Sequence, residues 1–360
     1  MPLLLPAVIS NARSQHPFVL LESSSTQSAL PVFKDIINHG NTKTCLLFCL
    51  LYPPTSILNE AARSLTDRFR VIDRTSFVPG FSETSIDDLG ELFKRELESA
   101  QAGSLTVAID SIDTLCADLG SASKCHLIVF SLLNLLRTRS FPAPSRLIIH
   151  TNSPTPVLPL LLLTRLSPNM THVMAHPPAL LEHIAETHLA VPPPSMPPER
   201  FWRVFSPIAA RGWEVEHLVY GPEGPGSGPG REEFVLEMVI RGQGAGSDGK
   251  RRGTERVLEG WSRSRGSCEL TELSSLRVIW TKSSTAQEPL APDPTQNLPF
   301  NLNLTRRQQQ SRAQVPLPYV HEGEPVLSET PTTGTLGAIY YDPDSADDID
   351  DDDPDEDLDI

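Results

Sequence analysis

A chain that turned over a nucleotide would need particular residues at the turn after its first strand. Glycines there let backbone amides wrap phosphate oxygens, and a lysine reaches the β and γ oxygens. The turn that follows the apolar run Phe18–Glu22 reads Ser23-Ser24-Ser25-Thr26-Gln27 and has neither. Its hydroxyls can donate hydrogen bonds, but they supply no positive charge and none of the positive-φ freedom of glycine. A glycine and a lysine-threonine pair do occur at Gly40-Asn41-Thr42-Lys43-Thr44. That segment leaves a helix and enters a strand, whereas phosphates sit where a strand enters a helix N-terminus. Asp110 closes the run Leu105–Asp110 in the position of a Walker B-like carboxylate, which orients magnesium or its water. An aspartate there also serves as a cap or turn former, and Asp110 and Asp113 have no nearby His or Lys to complete an acid–base pair. Neither catalysis, cofactor nor metal is expected.

The remaining reactive side chains fall into no ligand pattern. The five cysteines are scattered; Cys45 and Cys49, four apart on an apolar run, suit two small side chains on one face of a strand. This usage fits a reducing, intracellular compartment. His172 and His176 lie on a strand-like run, and His183 and His188 are five apart, so neither pair has the helical i, i+4 placement of zinc ligands. Between Arg241 and Arg265 there are seven basic residues against three acidic ones. Lys250, Arg251, Arg252 and Arg256 there form either a solvated loop or an RNA-facing patch.

Six runs of β-rich sequence alternate with amphipathic helices between residues 18 and 176: Phe18–Glu22, Thr44–Tyr52, Phe69–Asp73, Leu105–Asp110, Arg146–Thr151 and His172–His176. They are continuously apolar, as strands covered on both faces are. Between them, Ser85–Ser99 carries Ile86, Leu89, Leu92, Phe93 and Leu97 on one stripe behind a Ser85/Asp88 capping box. Leu30, Phe33, Ile36 and Ile37 form a second stripe closed by Gly40, and Leu127–Leu136, apolar nearly all round, is expected between layers. The pattern predicts an α/β fold with a mostly parallel sheet and helices on both faces.

Past Leu189 the texture changes. Residues 191–198, VPPPSMPP, read as a stiff connector. Alternation then predicts strands at Glu214–Tyr220, Glu233–Arg241 and Leu276–Trp280, joined by flexible Gly/Pro-rich loops at 221–230 and 242–253 and added to the same sheet as antiparallel hairpins. This body ends near residue 282; residues 283–341 are polar and Pro-rich with a short helix expected in Leu298–Gln314, and residues 342–360 are predicted to be disordered. That last segment holds twelve acidic and no basic residues, so of the net charge of −15 only −3 falls on residues 1–341. A nearly neutral body argues against a self-sufficient nucleic-acid binder. Apolar runs as short as Leu46–Tyr52 and Leu158–Leu163 predict no membrane span. Met1–Ser10, apolar but without a basic start and broken by Pro2 and Pro6, reads as a buried segment rather than a signal peptide.

Residues 105–115, LTVAIDSIDTL, and 146–152, RLIIHTN, resemble the core of a RecA-like ATPase fold. The segments LPFNLNLTRRQQQSRAQVPLPY at 298–319, GAIYY at 337–341 and the acidic close DDPDEDLDI resemble the fungal Elongator complex protein 5 family. The resemblance implies a non-catalytic subunit with a degenerate phosphate loop at Ser23, Ser24, Ser25 and Thr26. It further implies a hetero-hexameric ring with two sister RecA-like subunits, docked on the larger catalytic subcomplex. That ring binds tRNA and supports modification of its wobble uridine, in cytoplasm and nucleus. Phe300, Leu302, Leu304, Tyr319, Ile339 and Tyr340 are the residues expected to pack on a partner, since an apolar segment on a Pro-rich tether gains stability only when removed from water. The competing classes are a working P-loop ATPase or kinase and an acidic-tailed nuclear interaction protein.

Overall fold

The computed structural model describes residues 3–12, 17–65, 67–79, 81, 88–100, 103–138, 145–222, 224–225, 232–243 and 252–285. The expected helix cap at Ser85, the loop cations Lys250 and Arg251, and everything from residue 286 onward, including Phe300, Leu302, Leu304, Tyr319, Ile339 and Tyr340, lie outside the described residues.

Each continuous apolar run forms a strand: β1 (Phe18–Ser23), β2 (Thr44–Cys49), β3 (Phe69–Asp73), β4 (Leu105–Ile109), β5 (Arg146–Asn152) and β6 (Met170–His176). They pair in parallel in the order β3-β2-β4-β5-β1-β6. Strand β5 is thus inserted between β1, which leads into the serine-rich turn, and β4, which ends at Asp110. Three antiparallel strands, β7 (Glu233–Gln243), β8 (Arg252–Ser262) and β9 (Gly266–Cys268), extend the sheet beyond β6, as the hairpin reading predicts.

Alternate residues of the parallel strands enter two separate cores. Phe18 and Leu20 point into one, with Phe93 and Leu97 of α5 (Asp88–Ser99), Leu115 of α6 (Ile112–Leu119), Leu132 and Leu133 of α7 (Ala122–Thr138) and Leu161 of the one-turn α8 (Leu158–Leu161). Val19 and Leu21 point into the other, with Leu5 of α1 (Leu5–Ile9), Phe33 of α2 (Leu30–His39), Ile57 of α3 (Pro54–Ile57) and Ala62 of α4 (Glu60–Arg63). Helix α7 covers its core with one stripe only. Leu127 is 63% exposed and Phe130 39% exposed, so the expectation of a helix buried between layers is corrected: α7 is an outer helix.

A third core, around Leu181, Phe201, Phe205 and Leu276, corrects two strand expectations. Glu214–Tyr220 is part of the helix α11 (Gly212–Tyr220), and the Leu276–Trp280 segment leaves a 3-10 turn for the helix α12 (Arg277–Thr285). Val215 and Val219 are alternate positions of a strand and also i, i+4 positions of a helix, and burial on the helices α9 (Pro178–Thr187) and α10 (Pro198–Ala209) decides for the helix.

Of the apolar N-terminal segment, Leu4, Leu5 and Val8 are buried while Pro6 and Ser10 are exposed, and α1 is held at both ends by buried charges. The Glu259 carboxylate on β8 accepts from the amides of Leu4 and Leu5, satisfying donors that α1 leaves open. At the other end Arg146, fully buried on β5, donates to the carbonyls of Val8 and Ile9 and to Thr106 Oγ1. Gly40 clears the way: a Cβ there would lie 2.9 Å from the Arg146 guanidinium and 2.6 Å from the Ile36 carbonyl oxygen. Arg146→Met strips a donor from three groups, of which Val8 keeps the Asn11 amide and Thr106 the Thr42 hydroxyl while the Ile9 carbonyl loses its partner, and is expected to cost about 1–3 kcal/mol. Gly40→Ala pushes on the same guanidinium and is expected to cost about 1–3 kcal/mol. Urea-denaturation midpoints equal to wild type in both variants would contradict this account.

Candidate functional site

Strand β1 delivers Ser23 to the carboxyl edge of the sheet, where a phosphate-binding turn would begin. The turn spends its amides on itself. Ala29 N–H donates to Ser23 Oγ at 2.7 Å, Gln27 N–H to Ser24 Oγ at 3.2 Å, Leu30 N–H to Ser28 Oγ at 3.1 Å, and Ser24 N–H to the Gln27 carbonyl at 2.8 Å. Ser24 and Thr26 share a hydroxyl bond of 2.8 Å. These four amides are thereby turned inward. Ser23, Thr26 and Gln27 are buried.

Helix α11 closes over what remains. Ser25 Oγ donates to Glu216 Oε1 at 2.5 Å, and the Tyr220 hydroxyl donates to the Ser25 carbonyl at 2.7 Å. A carboxylate therefore stands at the mouth of the turn, where it repels a phosphate instead of attracting one. These residues were not singled out in the sequence; they lie 191 and 195 residues from Ser25.

Asp110 occupies the Walker B-like position at the end of β4, fully buried, with both oxygens engaged. Leu50 N–H donates to Oδ1 at 2.7 Å, and Leu51 and Tyr52 donate to Oδ2 at 3.0 and 2.7 Å. Burial pushes its pKa up, partly offset by the amides of Tyr52, Leu50, Leu51 and Ser111. Its role in this geometry is to pin the end of β2 to β4; a metal would have to displace those amides. Asp113 is committed in the same manner to β5, accepting from Thr151 Oγ1 at 2.9 Å and Asn152 N–H at 2.6 Å.

His150 joins the two halves. Its Nδ1 lies 2.7 Å from the Asp110 carbonyl, which can only accept, so the proton sits on Nδ1, and Nε2 accepts from Ser23 Oγ at 2.7 Å. Serine and imidazole are in the relation of a nucleophile and its base, but both are buried, so the contact is a tie between β1, β5 and β4. The lone histidine within the apolar run Arg146–Thr151 was the available signal for it.

The other candidates are dispersed. Gly40–Thr44 lies at the opposite end of the strands, with Lys43 N–H donating to Ser104 Oγ at 3.0 Å. His172 pairs with Glu22 at 2.8 Å, His176 with Glu237 at 3.0 Å, and the His183 and His188 rings meet edge to face. Among the described residues no three metal-binding side chains converge. Arg256 turns inward: its Nε donates to Glu237 Oε1, its terminal nitrogen bonds Ser206 Oγ at 2.6 Å, and its guanidinium lies 4.1 Å from the Trp202 ring centre. Burial would raise the Glu237 pKa, but His176 and Arg256 outweigh it and hold the carboxyl below its ordinary range. Of Arg252 the backbone, opening β8, is described.

Burial lowers the His150 pKa from 6.5, against the opposing pull of the Asp110 carbonyl and the Asp113 charge. The unfolded chain takes up a proton below about pH 6.5 that the folded chain refuses, so stability falls as the pH drops through that value. His150→Gln is expected to lower the thermal midpoint at pH 7 and to flatten its decline between roughly pH 7 and 5.5. An unaltered decline in the variant would remove His150 as the cause.

Comparison with solved structures gives loose superpositions. A KaiC-like protein of Pyrococcus horikoshii aligns over 70% of this chain and 88% of its own with 11% identity and a TM-score of 0.35. A type III secretion ATPase aligns over 50% and 57% with 12% identity and a TM-score of 0.35. Among curated proteins, Elongator complex protein 5 of Mus musculus is 42% identical over 71 residues, 19% of this chain and 23% of that protein. The same-named protein of Danio rerio is 39% identical over 74 residues, 21% and 25%. These alignments thus span about a quarter of each relative. The model of one family, described as Elongator subunit Iki1, matches residues 4–342. With nearly the whole described fold inside that match, this chain belongs to the Elongator subunit Iki1 family.

Proposed function

We propose that this chain is a non-catalytic, structural subunit that joins two sister RecA-like subunits in a hetero-hexameric ring. The ring binds tRNA and supports wobble-uridine modification by the larger catalytic subcomplex, in cytoplasm and nucleus. One observation carries the reading: the groups that would hold a nucleotide are consumed internally. The Ser23 and Ser24 hydroxyls accept from the Ala29 and Gln27 amides, the Asp110 carboxylate accepts from three backbone amides, and Glu216 places a negative charge over the turn. A sheet edge wired in this way is suited to rigidity. Phe300, Leu302, Leu304, Tyr319, Ile339 and Tyr340 remain the proposed partner contacts. With Arg256 committed to Glu237, the RNA-facing patch reduces to Lys250, Arg251 and Arg252.

Two measurements test this. The purified chain is expected to show no magnesium-dependent ATP turnover above that of an Asp110→Ala control, and turnover that disappears in the control would restore the P-loop enzyme reading. Deleting the gene is expected to abolish the side groups of wobble uridines in tRNA, and cells that retain them would point to an interaction protein with no tRNA role. Truncation after Ala291 is expected to reduce ring assembly with the sister subunits; full assembly would refute the role given to Phe300 through Tyr340.

A further inference from the structure

The outer face of α11 carries two exposed aromatic rings with a carboxylate between them. Trp213, Glu216 and Tyr220 are all exposed and fall at i, i+3 and i+7, on successive turns of one face. Trp213 is 70% exposed and Tyr220 49% exposed, a large aromatic area to leave in water. Aromatic side chains in such settings are the residues that dominate protein interfaces.

The carboxylate between them is held in place. Ser25 Oγ donates to Glu216 Oε1, and the Tyr220 hydroxyl donates to the carbonyl of the same serine, so the turn fixes both ends of the acceptor face. No ion pair engages Glu216 among the described residues. The neighbouring cation Arg211 is taken by Glu214 at 3.0 Å. A fixed carboxylate flanked by two exposed π faces matches one side chain best. The guanidinium of arginine is planar, forms directed hydrogen bonds to a carboxylate and stacks on aromatic rings, whereas a lysine ammonium is strongly hydrated. Helical neighbours are spaced about 5–6 Å apart, so a guanidinium seated on Glu216 comes within cation–π reach of both rings.

We propose that the outer face of α11 is a docking surface that receives an arginine side chain of a partner subunit, seated on Glu216 between Trp213 and Tyr220. This rests on the reading of the chain as an assembly subunit. It gives the serine-rich turn a second use, as the support that orients Glu216.

The test uses the tagged full-length chain expressed in cells that assemble the complex. Glu216→Lys is expected to lower the recovery of Elongator subunits at least tenfold and Trp213→Ala several-fold, with circular dichroism and thermal midpoint as in wild type. A benzoyl-phenylalanine photo-crosslinker at position 213 is expected to join a partner peptide that contains an arginine. Exchanging that arginine for glutamate is expected to restore recovery with Glu216→Lys. Recovery unchanged in both single variants, crosslinks to RNA, or crosslinks to peptides without arginine overturn the proposal while leaving the subunit reading intact. A wild-type chain that recovers no Elongator subunit removes both.

Discussion

The carboxylate of Asp110 is the point to which the carboxyl edge of the sheet is tied. It takes three amides from the end of β2, and its own backbone carbonyl takes the His150 proton from β5. His150 in turn accepts from Ser23, and Ser23 accepts from the first amide before α2. Four strands are thereby fixed through groups that are fully buried and each have a partner. Such networks are costly to leave half satisfied, since an orphaned buried polar group forfeits about 1–3 kcal/mol. The positions are closed on each other, which ties the carboxyl ends of these strands together.

A second buried hub, at Glu237, does for the added hairpin what Asp110 does for the parallel strands. It links β6 through His176 and β8 through Arg256, and Arg256 carries the link to α10 through Ser206 and the Trp202 face. The antiparallel strands are thus an integral part of the sheet, with α9, α10, α11 and α12 packed over one side.

The parallel half of the fold was legible because a strand covered on both faces has one simple signature, an unbroken apolar run such as Leu46, Leu47 and Phe48. The helical half beyond Leu189 was not. Val215 and Val219 satisfy both periods, and only packing against Phe201 and Phe205 decides between them. The helix α10 begins at Pro198, within the proline run that read as connector, because proline is well tolerated in a helix's first turn. The absence of glycine and lysine at Ser23–Gln27 was readable directly. What fills the turn was not, because Glu216 and Tyr220 come from a distant helix whose placement depends on the whole sheet. The inward orientation of Arg256 was equally hidden: its partner Glu237 sits nineteen residues away across a hairpin, and sequence shows only the charge.

The grip on the N-terminal helix has a kinetic meaning. Leu4 is bonded to a residue 255 positions later, and Leu5 to the same one. On the ribosome, where chains emerge vectorially at about 5–20 residues per second, the Arg146 clasp on Val8 and Ile9 can close once β5 has been made, while the Glu259 clasp on Leu4 and Leu5 waits for β8. The helix is therefore gripped in two stages, its C-terminal end before its N-terminal end.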